Sequence, residues 1–393
     1  MQSFEFYSPT KVVFGKNSEQ KAAELVQEFA GRKVLLHYGS QSAKKSGLVD
    51  KVTDILQQAG LAVVELGGVV PNPRLSMVRK GIELGKKAGV DFVLALGGGS
   101  VIDSSKAIAI GLYHQKIDIW DYFLRKVKIS GTLPVGVILT IAAAGSETSN
   151  SSVITNEDGW IKRGMANDLT RPKFAIMNPE FTYSLPQYQT VCGVTDIIMH
   201  TLDRYFAPPA ENEMTDAIAE GLLRTVIRNG RLVLDSPQDY QIRSEIMWAG
   251  SLSHNTLTGL GRQHDFAVHQ LGHELSGKFD VAHGASLSTM WATWARYVYQ
   301  KDIPRFARFA AKIWDIQDED HKKAALAGIK KTEGYFTELG MPTTISQLVG
   351  RTLTETELTD LAEKCSFFKT RKIGSFYPAD FEMIHELYTL NNK

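Results

Sequence analysis

The hydrophobic period of this chain changes once, near residue 185, and that change limits the folds open to it. Before it, short apolar runs alternate with amphipathic ones. Lys11 to Phe14, Val34 to Tyr38, Ala62 to Leu66, Val90 to Leu96 and Val135 to Leu139 read as strands, and Phe4 to Tyr7 as another ahead of the Ser8-Pro9 turn. Ser18 to Phe29, Gly47 to Ala59, Arg74 to Ala88 and Val101 to Gly111 read as helices, the third entered through Pro71-Asn72-Pro73. Apolar strands separated by helices of this length predict βαβ units on a parallel sheet covered on both faces. After Leu185-Pro186 the helical period runs through Gly193 to Tyr205, Glu213 to Leu234, Tyr240 to Leu257, Val268 to Ser276 and further segments as far as Leu390, while strand signals almost vanish. The expected fold is an α/β N-terminal domain, residues 1–185, with a parallel nucleotide-binding sheet, followed by an all-α C-terminal domain, residues 186–393.

The helical half gathers ligand-type side chains. Asp196 and His200 are four apart, so on a helix they share one face and can grip one ion. His269 and His273 are also four apart, and His283 follows a loop expected at Gly277 to Asp280. A lone histidine is more often a hydrogen-bonded core residue than a ligand. The convergence of a carboxylate with several imidazoles points instead to a divalent metal. His273-Glu274 looks like the start of a zinc-protease motif, but that motif needs a second histidine where Gly277 stands. Only two cysteines occur, Cys192 and Cys365, which excludes a thiolate zinc site and a disulfide framework and fits a reducing compartment.

The sheet half carries a candidate phosphate cradle. An apolar strand runs into Gly97, Gly98 and Gly99, and Ser100 opens a helix that carries Asp103 and Lys106. Glycines let backbone N–H groups approach a ligand, and a helix N-terminus favours an anion such as a pyrophosphate. The run is not the G-x-G-x-x-G fingerprint, and a plain strand-to-helix turn capped by Ser100 is the alternative. Gly39-Ser40-Gln41-Ser42 ends the second strand, followed by Lys44 and Lys45. No carboxylate stands there to hold the ribose hydroxyls of NAD; hydroxyls backed by lysines suit the extra phosphate of NADP, with NAD as the alternative. Thr140 to Asn150 follows another strand and is rich in small and hydroxyl residues, as the wall of a narrow pocket beside a flat ring would be.

Lysine plus arginine number 44 against 43 for aspartate plus glutamate, with no long block of one sign, so a nucleic-acid partner is not expected. No apolar run reaches membrane-spanning length, and Met1 to Pro9 lacks the pattern of a signal peptide. The expected location is the cytoplasm.

Taken together, these motifs resemble the iron-containing, or group III, alcohol dehydrogenases, over nearly the whole chain. The similarity rests on Phe14-Gly15, Pro71-Asn72-Pro73, Gly97 to Asp103 with Lys106, Gly145-Ser146-Glu147, Asp196 with His200, His269 to His283, and Lys372 to Phe376. Gly39-Ser40-Gln41-Ser42 and the His269 to Leu275 segment look most like the NADP-dependent aldehyde reductase or butanol dehydrogenase branch. The resemblance implies Asp196, His200, His269 and His283 as ligands of Fe²⁺ or Zn²⁺, and His273 beside the substrate as the catalytic histidine. It implies cofactor contacts at Gly39, Ser40, Asn72, Gly98, Gly99, Ser100, Asp103, Thr140, Ser149, Lys162 and Leu185. It also implies a homodimer. The family often carries two further hydroxyls where this chain has Ile141 and Ala144, so that part of the nicotinamide contact departs from the pattern.

The resulting expectation is a metal-dependent oxidoreductase that moves hydride between NADP(H) and an alcohol/aldehyde pair, acting on small to medium aliphatic aldehydes. His273 then either relays a proton or serves as an outer hydrogen-bonding partner. Two alternatives stand beside it. One is a metal- and NAD-dependent lyase resembling dehydroquinate synthases, disfavoured by the few basic residues in the active-site stretches. The other is a non-catalytic metal- or nucleotide-binding protein.

Overall fold

The computed structural model describes residues 1–39, 42–208 and 212–393, without the side chain of Ser42. The chain separates into two compact units, Tyr7–Leu185 and Pro186–Lys393, the latter joined by Met1–Phe6.

The first unit contains β1 (Lys11–Phe14), α1 (Ala22–Glu28), β2 (Lys33–Gly39), α2 (Ser42–Lys45), α3 (Leu48–Gln58), β3 (Ala62–Val69), α4 (Leu75–Ala88), β4 (Phe92–Gly97) and α5 (Gly99–Tyr113). It continues with α6 (Ile119–Phe123), β5 (Val135–Leu139), β6 (Ser151–Asn156), β7 (Ile161–Ala166) and β8 (Phe174–Met177). Six strands form one sheet in the order β1-β8-β5-β4-β2-β3, every neighbouring pair parallel. Alternate strand residues feed two cores. Val34, Leu36, Leu94 and Leu96 pack with Leu25 and Val49 on one face, and Leu35 and Val93 with Val78 and Ile108 on the other. Both faces are therefore covered, which explains why these strands read as continuous apolar runs.

Register fixes what lies at the sheet's C-terminal edge. Tyr38 pairs with Leu96, and Gly97 with Leu139. The chain thus leaves β2, β4 and β5 at one level, and a ligand of a parallel sheet sits outside such strand ends.

Three details differ from the sequence reading, the first being β8, an interior strand between β1 and β5 that was not among the expected strands. Phe4 to Tyr7 forms no strand; its apolar residues are exposed, and Gln2 N donates to Gly261 O in the helical unit instead. A strand needs a neighbour to bond to, and this segment has none among the described residues. Conversely, β6 and β7 form an antiparallel hairpin around Asp158-Gly159, a dipeptide that marks hairpin turns.

The second unit consists of α7 (Gln187–Tyr205), α8 (Glu213–Asp235), α9 (Tyr240–His254), α10 (Ala267–Phe279), α11 (His283–Val298), α12 (Ile303–Trp314), α13 (His321–Glu338), α14 (Ile345–Val349), α15 (Glu355–Cys365) and α16 (Phe381–Asn391). Helix α7 is buried all round from Thr190 to Tyr205 and packs against α8, α9, α10 and α11. A helix enclosed on every side places polar residues in the interior, where they need partners. Aromatic rings of Phe206, Trp291, Trp294, Phe306, Phe309 and Phe336 fill the core beside it. Cys192 and Cys365 are both free thiols and both buried. Among the described residues no helix is long and apolar enough to cross a membrane.

Candidate metal centre and nucleotide cradle

Asp196 and His200 project from one face of α7, one turn apart, and His200 Nε2 lies 3.4 Å from Asp196 Oδ1. Helix α10 brings His269 Nε2 to 3.7 Å of the same oxygen, and the first residue of α11 brings His283 Nε2 to 3.9 Å. One donor atom each from Asp196, His200 and His269 lie within 4.8 Å of one another, all three side chains buried. His283 stands at the rim, its side chain 24% exposed. Asp196 Oδ1 and His269 Nε2 have no hydrogen-bond partner among the described residues. A bare carboxylate oxygen and a bare ring nitrogen facing each other in the interior are costly unless something joins them. A divalent cation with one carboxylate and imidazole ligands fits that need.

The electrostatics agree. Burial, with His254, His269, Arg204 and His283 nearby, holds the pKa of His200 well below its ordinary value, so its nitrogens are neutral ligands. Burial also opposes a charge on His269, but the carboxylates of Asp203 and Asp196 outweigh it and raise the pKa. Those carboxylates favour a cation at that spot. Asp203 Oδ2 lies 2.5 Å from His269 Nδ1 and so turns Nε2 inward. His273, on the next turn of α10, has its ring centroid 5.1 Å from that of His283 and 6.3 Å from that of His269.

In the sheet unit, β4 delivers Gly97 and Gly98 to the start of α5, whose second residue is Ser100. A Cβ at Gly98 would come within 3.0–3.2 Å of the Ile141 side chain, and one at Gly97 within 2.5 Å of Val101. Glycine at 97 leaves room for Val101 of α5, and glycine at 98 lets Ile141, in the turn after β5, close on the helix start. Thr140 N donates to Gly97 O at 3.1 Å, so Thr140 stands beside the cradle, with Ile141 and Ala144 as its apolar wall.

Asp103 and Lys106 clamp the next loop to α5. Asp103 accepts from Ser146 Oγ (2.6 Å) and Val153 N (2.9 Å). The ammonium of Lys106, fully buried, donates to the carbonyls of Ser146, Ser149 and Ser151 at 2.8, 3.0 and 2.8 Å. Burial brings the pKa of Lys106 down to about 8, while Asp103 and Glu147 pull the other way. The hairpin β6–β7 turns Lys162 inward, and its Nζ donates to Asn72 Oδ1 at 2.9 Å.

Family models match both units: iron-containing alcohol dehydrogenase over residues 9–179, and the C-terminal region of the Fe-containing alcohol dehydrogenase family over residues 190–389. The chain belongs to the iron-containing alcohol dehydrogenase family. This dehydrogenase is thus an oxidoreductase. It is 38% identical over 390 residues to the NADH-dependent butanol dehydrogenase A of Clostridium acetobutylicum, covering 99% of each chain. It is 34% identical over 351 residues to the NADPH-dependent aldehyde reductase YqhD of Escherichia coli, covering 88% of this chain and 89% of that one. The crystal structure of NADH-dependent butanol dehydrogenase A from Thermotoga maritima superposes with a TM-score of 0.96 at 35% identity, over 100% of this dehydrogenase and 99% of that chain.

Asp196, His200, His269 and His283 thus come together in the dehydrogenase, with His273 beside them. Gly39, Gly98, Gly99, Ser100 and Thr140 share the C-terminal edge of the sheet, while Asn72 and Lys162 bond to each other. Asp103 and Ser149 lie in the clamp, and Leu185 ends the unit with its N–H on Thr182 O. Ser40 lies outside the described residues. The loop expected at Gly277 to Asp280 is shorter: α10 runs to Phe279 because Gly277 is buried within it, and the chain turns at Asp280 in the left-handed region. The sequence reading missed Asp203 and Arg204, and gave His254 no role. Asp203 had a signal, since it follows His200 by three on the same helix and so shares its face.

Proposed function

We propose that this dehydrogenase interconverts small to medium aliphatic aldehydes and their alcohols with NADP(H), using Fe²⁺ or Zn²⁺ held by Asp196, His200, His269 and His283. The observation that carries the reading is the bare, buried Asp196 Oδ1 with three imidazole nitrogens 3.4–3.9 Å from it. When bound, the cation supplies Lewis-acid polarisation of the carbonyl oxygen, and the nicotinamide supplies the hydride.

The chain's own residues do the rest. Burial keeps His200 neutral and ready to ligate, and Asp203 fixes the direction of His269. The N-terminal turn of α5, with Gly98, Gly99 and Ser100, offers backbone donors and a positive dipole end to the coenzyme's pyrophosphate. Lys106 and Asp103 hold the loop that carries Ser149, and Lys162 orients Asn72. His273, beside the rings of His269 and His283, either gives the nascent alcohol its proton or supports the ligands from outside as a hydrogen-bonding partner.

NADP(H) is favoured by Lys44 and Lys45 behind the strand end. Lys44 Nζ lies 3.2 Å from Glu65 Oε2, so its charge is partly offset. The reading includes a cytoplasmic location, in keeping with two free thiols, and a homodimer, which rests on the family resemblance alone.

The test is coenzyme consumption with butanal, using NADPH and NADH in parallel, before and after chelation. Loss of turnover on chelation, its return with Fe²⁺ or Zn²⁺, and a higher kcat/KM with NADPH are expected. Full turnover after exhaustive chelation would end the metal reading, and a preference for NADH would reverse the coenzyme assignment.

A further inference from the structure

Two of the buried histidines at the metal centre are oriented by different devices. A metal-ligating imidazole usually donates its second ring N–H to a carboxylate or carbonyl, which fixes the ring. His269 follows that rule through Asp203. His200 does not: its Nδ1 is buried and has no hydrogen-bond partner among the described residues.

Ring contacts take that place. The ring of His200 lies between His269, at a centroid distance of 4.2 Å, and His254, at 3.9 Å and a tilt of 55°. His254 ends α9 and is itself fixed, because Arg204 Nη2 donates to its Nδ1 at 3.0 Å. Arginine has only donors, so this nitrogen must be the acceptor and the tautomer follows. Arg204 also donates from Nη1 to the carbonyl of His200 at 2.7 Å and lies over the Phe266 ring at 4.8 Å. Arg204 is 2% exposed, so solvent does not compete for these bonds.

We infer that His254, locked by Arg204, is a positioning residue of the metal centre: its ring holds His200 in the ligating orientation that an outer hydrogen bond would otherwise enforce. The inference rests on the metal reading above, and predicts that a flat ring packed at position 254 carries the metal affinity, while loss of the Arg204 bond, which Phe cannot accept, shows in folding stability.

Zn²⁺ binding measured by competition with a chromophoric chelator tests it, on the full chain and its H254A and H254F variants. The wild type should take up one Zn²⁺ per chain. H254A should bind it about tenfold or more weakly, the size of effect expected when an outer support is lost. H254F should stay within about threefold of the wild type. The visible absorption of the Co²⁺-substituted protein reads ligand geometry and should change in H254A but not in H254F. Unfolding curves without metal show whether H254A is folded, and H254F supplies the same comparison if it is not. Wild-type affinity in folded H254A would remove this inference alone, and so would an H254F as weak as H254A. A wild type that binds no Zn²⁺ would bring down the metal reading and this inference with it.

Discussion

His37 is buried in β2 with both ring nitrogens engaged, Nδ1 with Leu66 O at 2.8 Å and Nε2 with Ser104 Oγ at 2.9 Å. It ties β2 to α5 one residue beyond Asp103. Burial lowers its pKa from 6.5 to about 4, against a smaller opposing effect of the Leu66 carbonyl. The folded chain therefore keeps this imidazole neutral where the unfolded chain protonates it. Between pH 6.5 and about 4 the unfolded state binds the extra proton, so stability falls as pH falls through that window. The loss reaches about 3 kcal/mol at its lower end. Urea unfolding across that range should give a shallower pH slope in His37→Gln, whatever that variant's stability at neutral pH; an unchanged slope would assign the acid sensitivity elsewhere. At this scale the sequence was most legible where chemistry and spacing coincide, as with Asp196 and His200. It was least legible at Arg204 and His254, which lie 50 apart in sequence and meet only when α7 and α9 pack.

Gly284 governs how α11 meets α7. A Cβ there would run into the Cys192 carbonyl, with the Cys192 C and Cα atoms at 2.8 and 2.9 Å. Backbone atoms of a buried helix cannot step aside cheaply, so α11 would shift, and His283 is the residue before the glycine. Gly284→Ala should weaken Zn²⁺ binding about tenfold or more and cost about 1–3 kcal/mol of stability, read by chelator competition and urea unfolding. Retention of both properties would show that the helix can pivot without moving its first residue. Helices of this unit were legible because their apolar residues recur at the 3.6-residue period, even in α7, which is buried all round. The ends were less so: α10 passes through Gly277, since the glycine packs inside. The hairpin of β6 and β7 was passed over even though Asp158-Gly159 announces it, because its strands are mixed in polarity.

On the proposed reading each unit carries its own half of the chemistry, so each half is open to a separate test. Zn²⁺ should slow amide exchange mainly in α7, α10 and α11, and NADPH mainly in residues 97–103 and the loop that Lys106 clamps. Exchange mass spectrometry would check this, and protection by Zn²⁺ centred on α5 would contradict the division. The change of hydrophobic period near residue 185 made the two-part architecture legible from residues alone. Strand order was not: β8 lies between β1 and β5, and β4 between β5 and β2, yet apolar runs look alike whichever neighbour they pair with. Crossovers are decided by how helices cover the sheet, which no single segment records.

The burial of both thiols has a practical reach. Cys192 and Cys365 are the chain's only cysteines and neither faces solvent, while burial and the nearby Asp196 push the Cys192 pKa up to about 12 despite hydrogen bonds that lower it. A thiolate is the form that reacts with a maleimide dye, so the folded dehydrogenase is silent to such labelling. One reporter cysteine engineered onto the surface would then be the only site to take up a fluorophore, and its emission would report on its own surroundings free of background from the native thiols.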